Sequence, residues 1–529
     1  MATRNLAYIV HPALGGLDTT KAATLLEPDQ LTIADNVEYF TSGARKKRLG
    51  TARYNASAIS GTPTVTAVAD FWRHGTGIGP TQKFVACAGT SIWKDDNDGV
   101  WDEIQTSWGT ATSRTHVTIA QGYAVFGNSN NDIPQRWDQT TLANLTAGTI
   151  RFEACVYHLR RLFPIGEQTA HSGTTNPSRS RYSAASDITD FTGGDTGELI
   201  FDDDDGDRLV GVSQPFHGRL YFFKGPTRGS VHELTGTTAA TFARNKVFTG
   251  APCVTHAGII TTPNDVFWAS RYGFHSLRAT QKYGDTEETF ISRPIQSLFN
   301  ALSLNRLSQI VGFYHPTRNI VGWNCADAGQ VQNNLCFIYN YLLDRWAVWD
   351  FTGLNQASCA VMLDPAGTGL GQPRLYFGGY DGFVYEGDQT TQTDANGSAY
   401  TARIRTPVHA RFSDELTELH EKSFYSVTTM FKPKGNYSAS LDVNIDGRTS
   451  STTIALAGGG IGLGTFTLGS STLGVLGGGS PFQYAESIIN DRGRSIQVQW
   501  SQSGANQDME IYGHAIRFAP AEGHAMESS

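Results

Sequence analysis

The chain has 529 residues, of which 39% are hydrophobic and only 17% charged, with 57 glycines and a formal net charge of −8. That apolar content is enough for a large core and for more than one domain. The acidic balance argues against a dedicated nucleic-acid binder, which is normally basic, and few charges, many glycines and 11% aromatics favour β structure over helix.

Residues 1–60 read as an extended arm. Gly15-Gly16-Leu17-Asp18 is a turn, and Ala34 to Tyr39 is a short ordered segment. Arg45, Lys46, Lys47 and Arg48 form the strongest basic run, read as a solvated turn, as a contact with an acidic neighbouring subunit or as a nucleic-acid contact. The apolar stretch near the start is short and broken by His11-Pro12, so neither a signal peptide nor a membrane segment is expected, and synthesis in a cytoplasm is.

Residues 61–395 repeat one pattern, an apolar strand, a Gly/Asp/Asn turn and an aromatic return strand. Phe84 to Gly89 running into Ile92-Trp93, Gly218 to Phe223, Asp265 to Ala269 and Arg374 to Gly382 are clear copies. Blocks of this kind at a period of roughly 40–50 residues predict an all-β fold built on a β-propeller. Six or seven blades are expected, starting near Val65, Thr115, Arg151, Leu209, Val254, Leu307 and Gln356. Ile291, Ile295, Leu298, Phe299 and Leu302 have the spacing of a short amphipathic helix between blades.

Residues 396–529 change to longer alternating strands, for example Phe424 to Phe431, Ala439 to Ile445 and Ser495 to Trp500, which predict a separate antiparallel β-sandwich. A glycine-rich insertion at 457–480 includes Gly458, Gly464, Gly469, Gly474 and Gly479 and reads as a surface loop or one that orders against a partner.

Signatures of catalysis are missing. Isolated carboxylates such as Glu153, Asp187 and Glu233 have no evident partner, there is no nucleophile elbow or phosphate-binding loop, and the Asp98-Gly99 region is a tight turn rather than a glycosidase box. Asp202 to Asp207 is an acidic run without the distal glutamate of a calcium loop. The six cysteines sit in apolar runs and, with the scattered histidines, show no zinc spacing. No catalytic residue, metal or cofactor is expected. Trp137 and Tyr380 are candidate sugar-stacking aromatics at blade mouths.

The arm carries a resemblance. Gly15-Gly16-Leu17-Asp18, Ala34-Asp35-Asn36-Val37 and Gly43 through Arg48-Leu49-Gly50 resemble an N-terminal arm of bacteriophage virion proteins in which a β-propeller and a C-terminal β-domain follow. The best-known examples are the tail nozzle, or tail tubular, proteins of short-tailed phages. Leu49 stands where many relatives have proline. The resemblance covers residues 10–50 in motif and the remainder in architecture. It implies a non-enzymatic homo-oligomer, usually a hexameric ring, in the virion tail. Such a ring joins portal and adaptor proteins, carries tail fibres or a needle, and passes viral DNA without sequence-specific binding. In that setting the basic run becomes a subunit contact and the glycine-rich segment a gate loop. Other tail, baseplate or fibre-attachment proteins, and a carbohydrate-binding propeller for host recognition, are the alternatives.

Overall fold

The computed structural model describes residues 7–12, 15–75, 78–129, 131–148, 150–167, 176–278, 291–351, 357–364, 372–395, 397–412, 418–457 and 482–521. The chain is all-β and divides into two units, one of residues 51–337 and 353–389, the other of residues 1–50, 338–352 and 390–529.

The first unit is a β-propeller. Its innermost strands are Val65–Gly75, Thr115–Ala120, Ala154–His158, Arg208–Val212, Ile259–Thr261, Val311–His315 and Cys359–Leu363. Each packs beside the next, the fourth against the turn His256–Gly258 that leads into the fifth, and the last packs beside the first, so seven blades close a ring among the described residues. The first blade continues outward through Ile78–Ala88, Ser91–Asp95 and Trp101–Gln105 in antiparallel register. The last blade receives its fourth strand, Gly50–Arg53, from the segment that precedes the first blade. This closure leaves no open edge between the two ends of the repeat.

Strand alternation supplies the packing. Because successive side chains point to opposite faces, each blade offers one apolar face to each neighbour. Phe71, Val85 and Cys87 of the first blade meet Phe126 and Trp137 of the second. Its other face, with Val68, Phe84 and Trp93, meets Cys359, Tyr376 and Val384 of the seventh. All six cysteines are free and buried, as small apolar fillers. The amphipathic segment is a helix of five residues, Gln296–Asn300, flanked by short 3-10 turns, and it buries Ile295, Phe299, Leu302 and Leu307.

The second unit contains two packed sheets. In one, Val37–Tyr39, Arg45–Lys47, Glu510–Pro520, Lys422–Phe431 and Gln483–Gly493 lie side by side, and Ala7–Pro12 pairs with Glu510–Pro520 beyond the Arg45–Lys47 strand. In the other, the order is Arg345–Trp349, Ile33–Asp35, Ala402–Arg405, Ile496–Gln502, Ser438–Ile445 and Arg448–Ala455. Trp500 is 1% exposed and its indole N–H donates across the layers to Thr429 Oγ1 at 2.9 Å. The described part of the N-terminal fifty residues is therefore built into both sheets, whereas the sequence suggested an arm apart from the sandwich. Among the described strand pairs of these two sheets the pairing is antiparallel except that Ile33–Asp35 runs parallel to Arg345–Trp349.

No described helix is long and apolar enough to cross a membrane.

Candidate functional site

Two places hold the polar side chains of interest, one in each unit. The first is the mouth of the propeller channel, a cavity of about 470 Å³ where the ends of the inner strands converge. Arg114, Glu153, Arg208, Thr255, Gln309 and Tyr380 shape it. Arg208 Nη1 lies 3.3 Å from Glu153 Oε2, and Arg114 Nη2 donates to the carbonyl of Gln309 at 3.1 Å. Deeper in the channel the rings of His116 and His256 meet edge to face, with centroids 4.8 Å apart. Burial holds the His256 imidazole at about 4 and His116 well below the usual histidine range, so both are neutral at pH 7.

The chemistry of this mouth is that of a polar cup. Glycoside hydrolysis needs two carboxylates across the scissile bond, and among the described residues Glu153 is the only carboxylate in the lining, already paired with Arg208. Asp187 caps the backbone N–H of Thr189 in a loop. Glu233 accepts from Tyr221 Oη at 3.0 Å and pairs with Arg219. The three isolated carboxylates are thus not brought together. Tyr380 lines the mouth, while Trp137 is 2% exposed and belongs to the core between blades.

The second place is the basic run. Arg45, Lys47 and Arg48 are buried inside the second unit, and Lys46 is partly exposed beside Asp508 at 3.4 Å. The alternation of a strand sends Arg45 and Lys47 to one side and Lys46 to the other. Arg45 Nη2 donates to the carbonyls of Asp29 and Gly15 at 2.6 and 3.0 Å. Lys47 Nζ donates to Gln502 Oε1 at 2.9 Å and to Gly504 O at 3.1 Å. Arg48 forms a two-point ion pair with Asp394, donates through Nε to Asn36 Oδ1 at 3.0 Å, and sits over the Tyr400 ring at 3.8 Å. Neither a solvated turn nor a neighbouring subunit receives these three cations, because carbonyls, a carboxylate and aromatic faces of the same unit already do. Nothing in the local sequence announces this, since Arg45 turns to the carbonyls of Gly15 and Asp29, and Gln502, Gly504, Asp394 and Tyr400 lie hundreds of residues downstream.

The rest of the arm motif is used the same way. A Cβ on Gly15 would run into the backbone of Asp29, and one on Gly50 into the carbonyls of Thr391 and Thr393. Asn36 takes the left-handed conformation at φ 53°, donates to the Thr401 carbonyl at 2.8 Å and accepts from the Asp350 N–H at 2.9 Å. Asparagine suits this position because it tolerates positive φ and offers both a donor and an acceptor.

Three carboxylates of the acidic run have partners on the chain itself. Asp205 accepts from Lys224 Nζ at 2.6 Å, Asp202 pairs with Lys246, and Asp207 accepts three backbone N–H groups from Thr227, Arg228 and Gly229. Despite burial, those bonds hold the Asp207 carboxyl below its usual range. Gly458, Gly464, Gly469, Gly474 and Gly479 lie outside the described residues.

No family model matches the chain, and no curated protein does. Among solved structures it is similar to a streptogramin B lyase, at 9% identity and TM-score 0.38 over 64% of this chain and 98% of that one. It is also similar to a nidogen/laminin complex chain, at 8% identity and TM-score 0.30 over 54% and 94%. An exo-β-1,3-galactanase from Phanerochaete chrysosporium matches at 9% identity and TM-score 0.25 over 87% and 99%.

Proposed function

We propose that this chain is a non-enzymatic subunit of a phage tail, a nozzle ring that extends the DNA channel below the portal and adaptor. The observation that carries this reading is the use made of the arm motif. Gly15, Asn36, Arg48 and Gly50 each sit where another residue would clash or leave buried groups unpaired. A motif that lets the first fifty residues build two sheets of a C-terminal sandwich is the mark of one construction plan, arm, propeller and β-domain together. The same order of parts is what the resemblance to nozzle proteins implies.

Charge supports the conduit role. A subunit with 17% charged residues and a net charge of −8 repels a passing polyanion instead of holding it. The propeller mouth, with one paired carboxylate, supports a scaffold over a hydrolase.

The test is the copy number of this chain in purified particles, by quantitative mass spectrometry against the portal. About one chain for every two portal subunits matches a six-fold ring on a twelve-fold portal. A much smaller ratio assigns the chain to a tail tip or fibre, and absence from particles removes the virion role altogether.

A further inference from the structure

His11, His409 and His514, far apart in the sequence, meet inside the second unit. His11 lies directly opposite His514 in the register of Ala7–Pro12 with Glu510–Pro520. His409 is held by a reciprocal backbone pair with Ile496, at 2.8 and 3.0 Å. Its ring stacks on His11 with centroids 4.1 Å apart, and His514 stands 5.1 and 5.6 Å from the two. One ring nitrogen from each histidine lies within 4.8 Å of the other two.

Two observations separate this group from ordinary core packing. All three rings are 4–6% exposed, and the Nε2 of each is buried with no hydrogen-bond partner. Three unpaired ring nitrogens in one place contradict the rule that buried polar atoms are satisfied, unless something else satisfies them. The second observation is where His11 sits. It is the one buried side chain of Ala7–Pro12, while Tyr8 and Val10 are each 58% exposed. If packing alone seated that strand, an apolar residue would fill the position.

We propose that His11, His409 and His514 bind a divalent transition metal of the zinc class, which staples the strand Ala7–Pro12 to the sandwich. Imidazole nitrogens suit zinc, copper and nickel and not calcium or magnesium. Zinc–nitrogen bonds of about 2.0–2.1 Å put tetrahedral donors about 3.4 Å apart, so the rings must draw closer and one of the stacked pair His11 and His409 must turn its plane to aim its nitrogen at a shared ion. The edge of the Trp500 indole, 5.2 Å from the His514 ring, walls one side of the group. The sequence showed no spacing of a zinc motif because about 400 residues separate the first ligand from the second.

The experiment uses the full chain without a histidine tag, stripped with chelator and titrated with zinc or cobalt. A single tightly held ion per chain is expected, with a tetrahedral cobalt spectrum, a raised Tm and slower proteolysis at the N-terminal strand. His11→Ala is expected to fold, since its strand lies at a sheet edge and is otherwise exposed, and to lose at least ~100-fold in zinc affinity. His514→Ala is the second variant, and if it does not fold, His11→Ala carries the test alone. No stoichiometric zinc, an octahedral cobalt spectrum, or undiminished binding in His11→Ala overturns the site. Tight binding that leaves proteolysis of the strand unchanged overturns the staple.

Discussion

Arg48 and Asp394 are 346 residues apart in sequence and form an ion pair with both side chains withdrawn from water, at 1% and 0% exposure. The guanidinium spends its remaining donors on Asn36 Oδ1, the Leu49 carbonyl and the Asp350 carbonyl, so the buried charge is fully hydrogen-bonded. Such a pair ties the arm to the segment that leaves the propeller for the sandwich, whatever its net worth against an apolar pair.

Removing either partner leaves a buried charge unpaired. Arg48→Met and Asp394→Leu are each expected to destabilise the second unit by ~3–5 kcal/mol, while the double variant loses less than the sum of the two. Urea unfolding followed by tryptophan fluorescence checks this. Additive losses would mean that the two residues act independently. Arg48→Lys is also expected to be costly, because an ammonium cannot make the two-point contact.

The propeller was legible in the sequence because its signal is local. Each inner strand is an apolar run beside a turn, and the innermost strands begin at Val65, Thr115, Ala154, Arg208, Ile259, Val311 and Cys359, within a few residues of the repeat positions read from the pattern. The basic run and the three histidines were not legible, for one shared reason. Whether Lys47 or His11 is buried depends on Gln502 and Gly504, or on His409 and His514, which no local window contains. A run such as Arg45-Lys46-Lys47-Arg48 looks solvated to any local rule, yet alternation in a strand and distant acceptors bury three of its four members.

Because arm strands are interior members of the sandwich, deleting residues 1–50 is expected to unfold the second unit and not merely to free a clasp. Ile33–Asp35 sits between Arg345–Trp349 and Ala402–Arg405, and Arg45–Lys47 sits between Val37–Tyr39 and Glu510–Pro520. Limited proteolysis is expected to degrade residues 390–529 in the truncated chain while sparing the propeller. A protease-resistant second unit in the truncation would contradict the assignment of these strands.

A smaller change tests the motif glycines. Gly15→Ala places a methyl group against the backbone of Asp29, which cannot rotate away as a side chain does. A loss of ~1–3 kcal/mol is expected by the usual cost of overpacking. Gly61→Ala is not an ideal control, since its φ of 81° adds strain even though the space around it is open. Gly194→Ala, with open space and no positive φ, is the control expected to be near neutral.

At acid pH the propeller is expected to weaken as its buried histidines demand protons. His275 stacks on Trp268 at 5.2 Å, contacts Ser270 Oγ at 2.8 Å, and is lowered by burial to about 3. In the unfolded chain it titrates near 6.5, so between pH 6.5 and 3 the unfolded state holds the extra proton and stability falls as pH falls, by about 1.4 kcal/mol per pH unit for this group. Stability from this group is complete above pH 6.5. His275→Gln is expected to flatten the decline of Tm between pH 6.5 and 4, and an unchanged slope would show that His275 does not set it.

At alkaline pH the basic run contributes with the same sign, through Lys47. Burial, with help from the neighbouring Arg48 charge, lowers the Lys47 ammonium to about 8 against an ordinary 10.5. Between pH 8 and 10.5 the unfolded chain holds the proton that the folded chain has released, so the Lys47 contribution to stability rises with pH across that window. The buried tyrosines act in the opposite direction only above their ordinary value near 10, since Tyr39 is pushed up to about 12 by burial and must stay neutral in the fold. The second unit is therefore expected to gain stability from pH 8 to pH 10, and beyond that the tyrosines oppose the gain from Arg45, whose guanidinium burial lowers to about 10. Lys47→Met removes one titrating group and keeps most of the aliphatic stem beside Tyr400, so it is expected to reduce the rise between pH 8 and 10, the remainder belonging to Lys422. Denaturant midpoints measured at constant ionic strength across this range decide the matter: a rise undiminished in Lys47→Met would assign it wholly to Lys422, also lowered to about 8.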